Sequence, residues 1–189
     1  MFKPVENELE LAMFNGIWST VWREKGYELE FEDRVLDRFI IMTEEGHGVG
    51  TSEIKPYDGK SAINKVAPFH QHPKVVEAGG AVAEIDKIAL LRSYRGKGSL
   101  LSSILSSAVY CAEKRTLRYF VSLLEPIFLR ALKITFKVPL ERVGEKVFYK
   151  GDDVVPVLFH MEEMYRNKQR YDWLSYPTTI LEREKVNAR

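Results

Sequence analysis

The chain has 189 residues, 45% of them hydrophobic, which is enough for one domain with a sizeable core. Its 28 basic and 27 acidic residues nearly cancel, leaving a formal charge of +1 and no basic footprint of a nucleic-acid or acidic-membrane binder. A single cysteine, Cys111, rules out an intrachain disulfide. No apolar run reaches the ~18 residues of a spanning helix, and the amino terminus lacks the basic-then-apolar order of a signal peptide. A cytoplasmic protein is expected.

Glu6 to Lys25 predicts a first helix, because Leu11, Phe14, Ile17, Trp18, Val21 and Trp22 recur at spacings of three and four. Gly26 stops it. Tyr27 to Asp37 is acidic and irregular and reads as a solvated connection. Arg38 to Met42 and Val49 to Ile54 read as the strands of a hairpin, ended by Lys55-Pro56. Pro56 to Gly80 has no clean period and carries Pro68, Pro73, Gly59 and Gly79. A connection that long is functional or partly disordered, and it reads as a surface loop or as a lid over a substrate tunnel. His70 and His72 would share a metal only from a strand and with further ligands, and no Cys/His/Asp cluster accompanies them, so no metal is expected.

Val82 to Leu91 predicts the central strand, with Glu84, Asp86 and Lys87 in front of the apolar run Ile88, Ala89, Leu90, Leu91. A basic, glycine-bearing loop follows: Arg92, Ser93, Tyr94, Arg95, Gly96, Lys97, Gly98. A helix over 98 to 115 comes next, its apolar residues Leu101, Ile104, Leu105, Ala108 and Ala112 at helical spacing. Leu117 to Leu124 is a further buried strand. Glu125-Pro126 opens a helix to about Lys133, with proline at its first position. Leu140 to Lys150 and Val154 to Met161 predict a hairpin around Gly151-Asp152. A helix over about 162 to 170 precedes a charged, aromatic and fraying end. The whole reads as one α/β (α+β) domain over 1–189, with a core over about 5–160 and an extension over about 161–189.

The junction after the central strand is the most informative stretch. A helix beginning at Gly98 or Ser99 offers free backbone N–H groups and a positive dipole end. Glycines let a phosphate approach the backbone, and Arg92, Arg95 and Lys97 add charge. This is a site for a phosphate or pyrophosphate. Neither the Walker spacing nor the dinucleotide Gly-x-Gly-x-x-Gly is present. Glu84 and Asp86, two apart on the strand, share one face, and crowding two carboxylates raises the pKa of one of them, which suits a general base. Lys87 falls on the other face unless a bulge intervenes. Cys111 reads as a packed thiol.

Tyr94-Arg95-Gly96-Lys97-Gly98 resembles motif A of the GNAT acyltransferases, an Arg/Gln-x-x-Gly-x-Gly/Ala loop that holds the pyrophosphate of coenzyme A; Leu100 stands where the last Gly/Ala is usual. The helix ending in Lys25-Gly26-Tyr27, the hairpin closing on Gly50-Thr51-Ser52-Glu53-Ile54-Lys55-Pro56, and the strand Ala83-Glu84-Ile85-Asp86-Lys87-Ile88-Ala89 are similar to one branch of that fold, the autoinducer synthases and related N-acyl amino acid synthases. Lys87 replaces the usual arginine, the first helix lacks that branch's arginine, and Lys133 stands where a general-acid tyrosine is expected.

The resemblance implies a GNAT-like mixed sheet flanked by helices. It also implies an N-acyltransferase that moves an acyl group from acyl-CoA, or an acyl-phosphopantetheine thioester on acyl carrier protein, to a small-molecule amine. Glu84 and Asp86 would be its catalytic carboxylates. Ile88, Ala89 and Leu90, with Arg95, Gly96, Lys97, Gly98 and Ser99, would hold the donor. A basic patch at Arg92, Arg95 and Lys97 would favour the acidic carrier protein. The competing expectations are a non-catalytic acyl-thioester or CoA-binding module of the same fold, and a domain whose basic loop takes another phosphate such as a nucleotide.

Overall fold

The computed structural model describes residues 1–31, 33–178 and 180; the end of the expected extension, residues 181–189, lies outside them. A short strand β1 (Phe2–Pro4) comes first, then helix α1 (Glu8–Lys25). Asn7 caps α1, its Oδ1 accepting from the Glu10 amide at 3.0 Å, while the Glu10 carboxylate reaches back to the Glu6 amide at 2.7 Å. This is a capping-box arrangement displaced by one residue. Gly26, at φ +73°, closes the other end in the left-handed region that glycine adopts without strain.

Strands β2 (Asp37–Met42) and β3 (Gly48–Pro56) form the expected hairpin, and β1 pairs antiparallel with β2, Phe2 opposite Ile41. The long connection is folded throughout. It makes 3-10 turns at Ala62–Lys65 and Phe69–Gln71 and a short helix α2 (Pro73–Ala78). It buries Ile63, Phe69, Val75 and Ala78 against Val82, Val121 and Leu158 of the sheet. Phe69 is fully buried, so the segment is a packed cover and not a solvated loop. His70 and His72 lie on a turn and at the cap of α2, not on a strand.

The central strand β4 (Val82–Leu90), helix α3 (Gly98–Lys114), strand β5 (Tyr119–Leu124) and helix α4 (Pro126–Ile134) follow as expected. The first arm of the last hairpin is broken in two, β6 (Leu140–Arg142) and β7 (Val147–Tyr149), both pairing with β8 (Asp152–His160). Helix α5 (Met161–Arg166) follows. Beyond it the chain does not fray over its described part: Tyr171 and Ile180 are buried in the main core, and the Trp173 indole N–H donates to the Phe136 carbonyl at 2.8 Å.

The sheet runs β1-β2-β3-β4-β5-β8-β6, with β7 on β8, and every pairing is antiparallel except β4 with β5. Helices α3, α4 and α5 cover one face, over a core that holds Ala83, Ile85, Ile104, Phe120, Leu132 and Met161. On the other face α1 packs Phe14, Trp18 and Val21 over Ile40 and Ala89, and the long cover packs beside it. The fold is α/β, a mixed and mostly antiparallel sheet between helices, of the GNAT-like kind. No helix among the described residues is long and apolar enough to cross a membrane.

Candidate active site

Strands β4 and β5 pair only over Val82–Glu84 and Tyr119–Val121. Past that point β4 leaves β5 and stays with β3, so the middle of the sheet opens as a V. The Ser122 hydroxyl donates to the Ile85 carbonyl at 3.0 Å and closes the base of the gap. The opening is a cavity of about 420 Å³, lined by residues from both faces of the sheet. On one side it is walled by Ile85, Ile88, Leu90, Leu101, Ile104 and Phe128, and on the other by Trp22, Lys25, Ala62, Ile63, Glu84 and Asp86. A smaller apolar cavity adjoins it beneath Phe128, and both share Ile85, Ile88, Ile104 and Phe128.

The alternation of β4 breaks at Lys87. Glu53 stands opposite Asp86 and Thr51 opposite Ala89, so two residues of β4 face Ser52 alone. This is a β-bulge, and Lys87 takes φ +45° within it. Ala83 and Ile85 before the bulge and Ile88 and Leu90 after it all belong to the α3-side core, whereas Ala89 packs under α1. Glu84, Asp86 and Lys87 therefore share the α1 face: the bulge that brings Lys87 to the carboxylates' side is present.

Glu84 and Asp86 are joined by a residue that local sequence spacing did not single out. Lys55 Nζ lies 3.1 Å from Glu84 Oε1 and 2.9 Å from Asp86 Oδ2. Burial pushes the Asp86 carboxyl up, but Lys55 and the Lys87 amide, which donates to Asp86 Oδ1 at 2.7 Å, outweigh it and hold the group below the ordinary carboxylate range. Asp86 is therefore ionised: the raised pKa expected from crowding the two carboxylates is not found at Asp86, because Lys55 stands between them. Deeper in the same face, Glu53 is fully buried between Arg38 Nε and Lys87 Nζ, each at 2.6 Å.

Of the expected donor-binding residues, Ile88, Ala89, Leu90 and Arg95 line the cavity. The Leu91 amide donates to the Val49 carbonyl at 2.9 Å, so by antiparallel alternation the polar groups of Leu90 and Ile88 face the cavity. Arg95 Nε donates to the Leu90 carbonyl at 3.0 Å, and its other end pairs with Glu24 of α1 at 2.9 Å. Gly96, Lys97, Gly98 and Ser99 are exposed beside the cavity and do not line it. A Cβ on Gly98 would meet nothing within 4 Å, so there is room against that backbone, and no side chain caps α3.

A second polar cluster on the cavity rim has no local sequence signal. Lys25 pairs with Glu125 and lies 3.4 Å from Asp152 Oδ2. The Tyr27 hydroxyl donates to the same Asp152 oxygen at 2.8 Å. Burial, followed by that hydrogen bond, raises the Tyr27 pKa, so the phenol keeps its proton at neutral pH. Lys133, where the family's tyrosine would stand, is exposed and outside the cavity.

No family model matches the chain, and no curated protein matches it. Solved structures do. An N-acyl amino acid synthase from uncultured soil microbes, FeeM, superposes with a TM-score of 0.66 at 12% identity, over 86% of this chain and 91% of that one. The chain has the fold of the N-acyl amino acid and autoinducer synthases. TofI in an apo form matches at 0.64 and 16% identity over 85% of this chain and 91% of its own. MesI, a CoA-dependent acyl-homoserine lactone synthase, matches at 0.62 and 12% identity, over 89% and 90%.

Proposed function

We propose that the protein is an N-acyltransferase that moves an acyl group from an acyl-CoA or acyl carrier protein thioester to the amine of a small molecule. The observation that carries this is the opening of the sheet between β4 and β5. It leaves one cavity with an apolar wall and strand amides on one side and paired carboxylates on the other. An acyl thioester matches the first side: its chain suits Ile85, Ile88, Leu101, Ile104 and Phe128, and its carbonyl suits the amides of Ile88 and Leu90. Its phosphates fit the Arg95 to Ser99 loop at the start of α3, with Arg95 at the cavity and Gly96, Lys97, Gly98 and Ser99 leading outward.

The acceptor amine enters from the carboxylate side. Its nitrogen attacks the thioester carbonyl carbon, the C–N bond forms and the C–S bond breaks. Glu84, with Asp86 beside it, takes the amine proton directly or through water. The departing thiolate takes up a proton, and the phenols Tyr27 and Tyr149 are donors on the cavity wall. No covalent enzyme intermediate is required. The fold likeness to synthases of acylated amines supports this class of reaction.

The test is turnover with acyl-CoA and acyl carrier protein thioesters of several lengths against a panel of amines, read by release of free thiol and by mass of the product. An acylated amine formed in proportion to thiol supports the proposal. Tight thioester binding with no product under any pairing would replace it with the non-catalytic binding module.

A further inference from the structure

Lys87 is held more tightly than any role in sheet formation requires. It is 4% exposed, and its backbone sits at φ +45° in the middle of a nine-residue strand. The other non-glycine residues of positive φ among those described, Thr116, Lys137 and Lys150, are exposed and lie outside the strands, where that conformation is ordinary. Three contacts fix it. Its ammonium donates to Glu53 Oε1 at 2.6 Å, its carbonyl accepts from the Thr51 hydroxyl at 2.8 Å, and its amide donates to Asp86 at 2.7 Å. The ammonium also lies 4.9 Å from the centre of the Trp18 ring.

Each of these features costs stability by itself. Glycine is the residue that takes φ near +45° without strain. A buried ion pair is commonly replaceable by apolar residues without loss. A strained, buried, charged residue beside a cavity is the kind of outlier that points to function. Here the bulge it maintains decides which groups the cavity sees: its amide holds the Asp86 carboxylate, and the extra residue resets the alternation so that Ile88 and Leu90 present their amides.

We propose that Lys87 is a positioning residue for acyl transfer, pinned through Glu53 so that the bulge in β4 aims the Leu90 and Ile88 amides and the Asp86 carboxylate at one point in the cleft. The proposal rests on the acyltransferase reading, and it adds a role for the Glu53–Lys87 pair, which no step of that chemistry uses.

The test is Lys87→Met. Glu53 retains Arg38 Nε at 2.6 Å, so the variant leaves no lone buried charge and should fold. The expected result is a KM for the acyl donor within about threefold of wild type and a kcat lower on the order of 10²-fold, the cost of a small misplacement at the reacting centre. The Leu90 amide resonance, three residues from the substitution, should move. If Lys87→Met does not fold, Lys87→Gly, which suits the backbone angle, carries the same readouts. A folded variant with wild-type kcat, or with an unmoved Leu90 amide, overturns the proposal. The amide spectrum needs no turnover, so a wild-type protein without acyl transfer would remove the functional reading while the positioning claim was still decided.

Discussion

Replacing Lys55 with methionine removes the cation that Glu84 and Asp86 share while keeping most of the side chain's length. In the native protein Lys55 lies 3.1 Å from one carboxylate and 2.9 Å from the other, and its side chain is 12% exposed. Without it two carboxylates face each other on a half-buried surface, and their repulsion raises the pKa of one of them. Removing one partner of a buried ion pair costs about 3 kcal/mol at pH 7. Asp86 is 37% exposed, so water screens part of the repulsion and the expected loss is about 2 kcal/mol. The sign with pH follows from the native state. Asp86 is held below the ordinary carboxylate range, so its contribution is present above that range and is lost as pH falls through the folded pKa. The variant lacks that contribution and adds a penalty above the same range. The deficit should therefore be largest near neutrality and should narrow as pH drops below about 5. Urea unfolding of both proteins at pH 7 and pH 4 measures it. A deficit of the same size at both values would show that Lys55 acts through packing and not by neutralising the carboxylate pair.

Glu84→Gln should fold, bind the acyl donor and lose on the order of 10²-fold in turnover, the usual size of a general-base effect, with Asp86→Asn losing less; wild-type rates for Glu84→Gln from pH 6 to 9 would take that carboxylate out of the mechanism. Arg95→Ala combined with Gly98→Val should weaken coenzyme A binding at least tenfold in calorimetry, by removing a charge-assisted contact and filling the free space at the Gly98 backbone. The same double variant should cost under about 1 kcal/mol of stability, since the Arg95–Glu24 pair it breaks is largely exposed; unchanged affinity in the folded protein would sink the loop assignment. Burial, and then the Asp37 carboxylate 3.1 Å away, push the Cys111 thiol far above its ordinary pKa, so a thiol reagent should label it only as fast as the protein unfolds. Rapid labelling of the native protein at pH 8 would contradict that environment.

The strand, glycine loop and helix from Val82 to Lys114 were legible because each is dictated locally: an apolar run, two glycines, then helical spacing. The same holds for α1, which asparagine and glycine bound at its two ends. Strand β1 was not legible. It is three residues ending in proline, and it exists because Phe2 finds Ile41 across the sheet. The break between β6 and β7 is of the same kind, since both fragments are defined by their partners on β8. The rim cluster could not be read either: Tyr27 and Asp152 are 125 positions apart and meet only once the sheet has formed. Glu84 and Asp86 were visible as a pair, whereas the Lys55 between them follows from the antiparallel register that sets Lys55 opposite Glu84.

The bulge and the opening of the sheet explain why the chemistry gathers at β4. A strand in mid-sheet normally spends its backbone groups on two neighbours. Once β5 diverges after Val121, β4 keeps only β3, and its other edge must be satisfied by something else. At the base a side chain does it, the Ser122 hydroxyl on the Ile85 carbonyl, and at the top another does, the Arg95 guanidinium on the Leu90 carbonyl. Both contacts supply donors to carbonyls. The strand's own amides between them face a cavity, and what complements an amide there is an acceptor brought by a ligand. A thioester carbonyl is such an acceptor. On the proposed acyltransferase reading, the same opening gives the acyl carbon its place, between the amides of β4 on one side and the Glu84–Asp86 pair on the other.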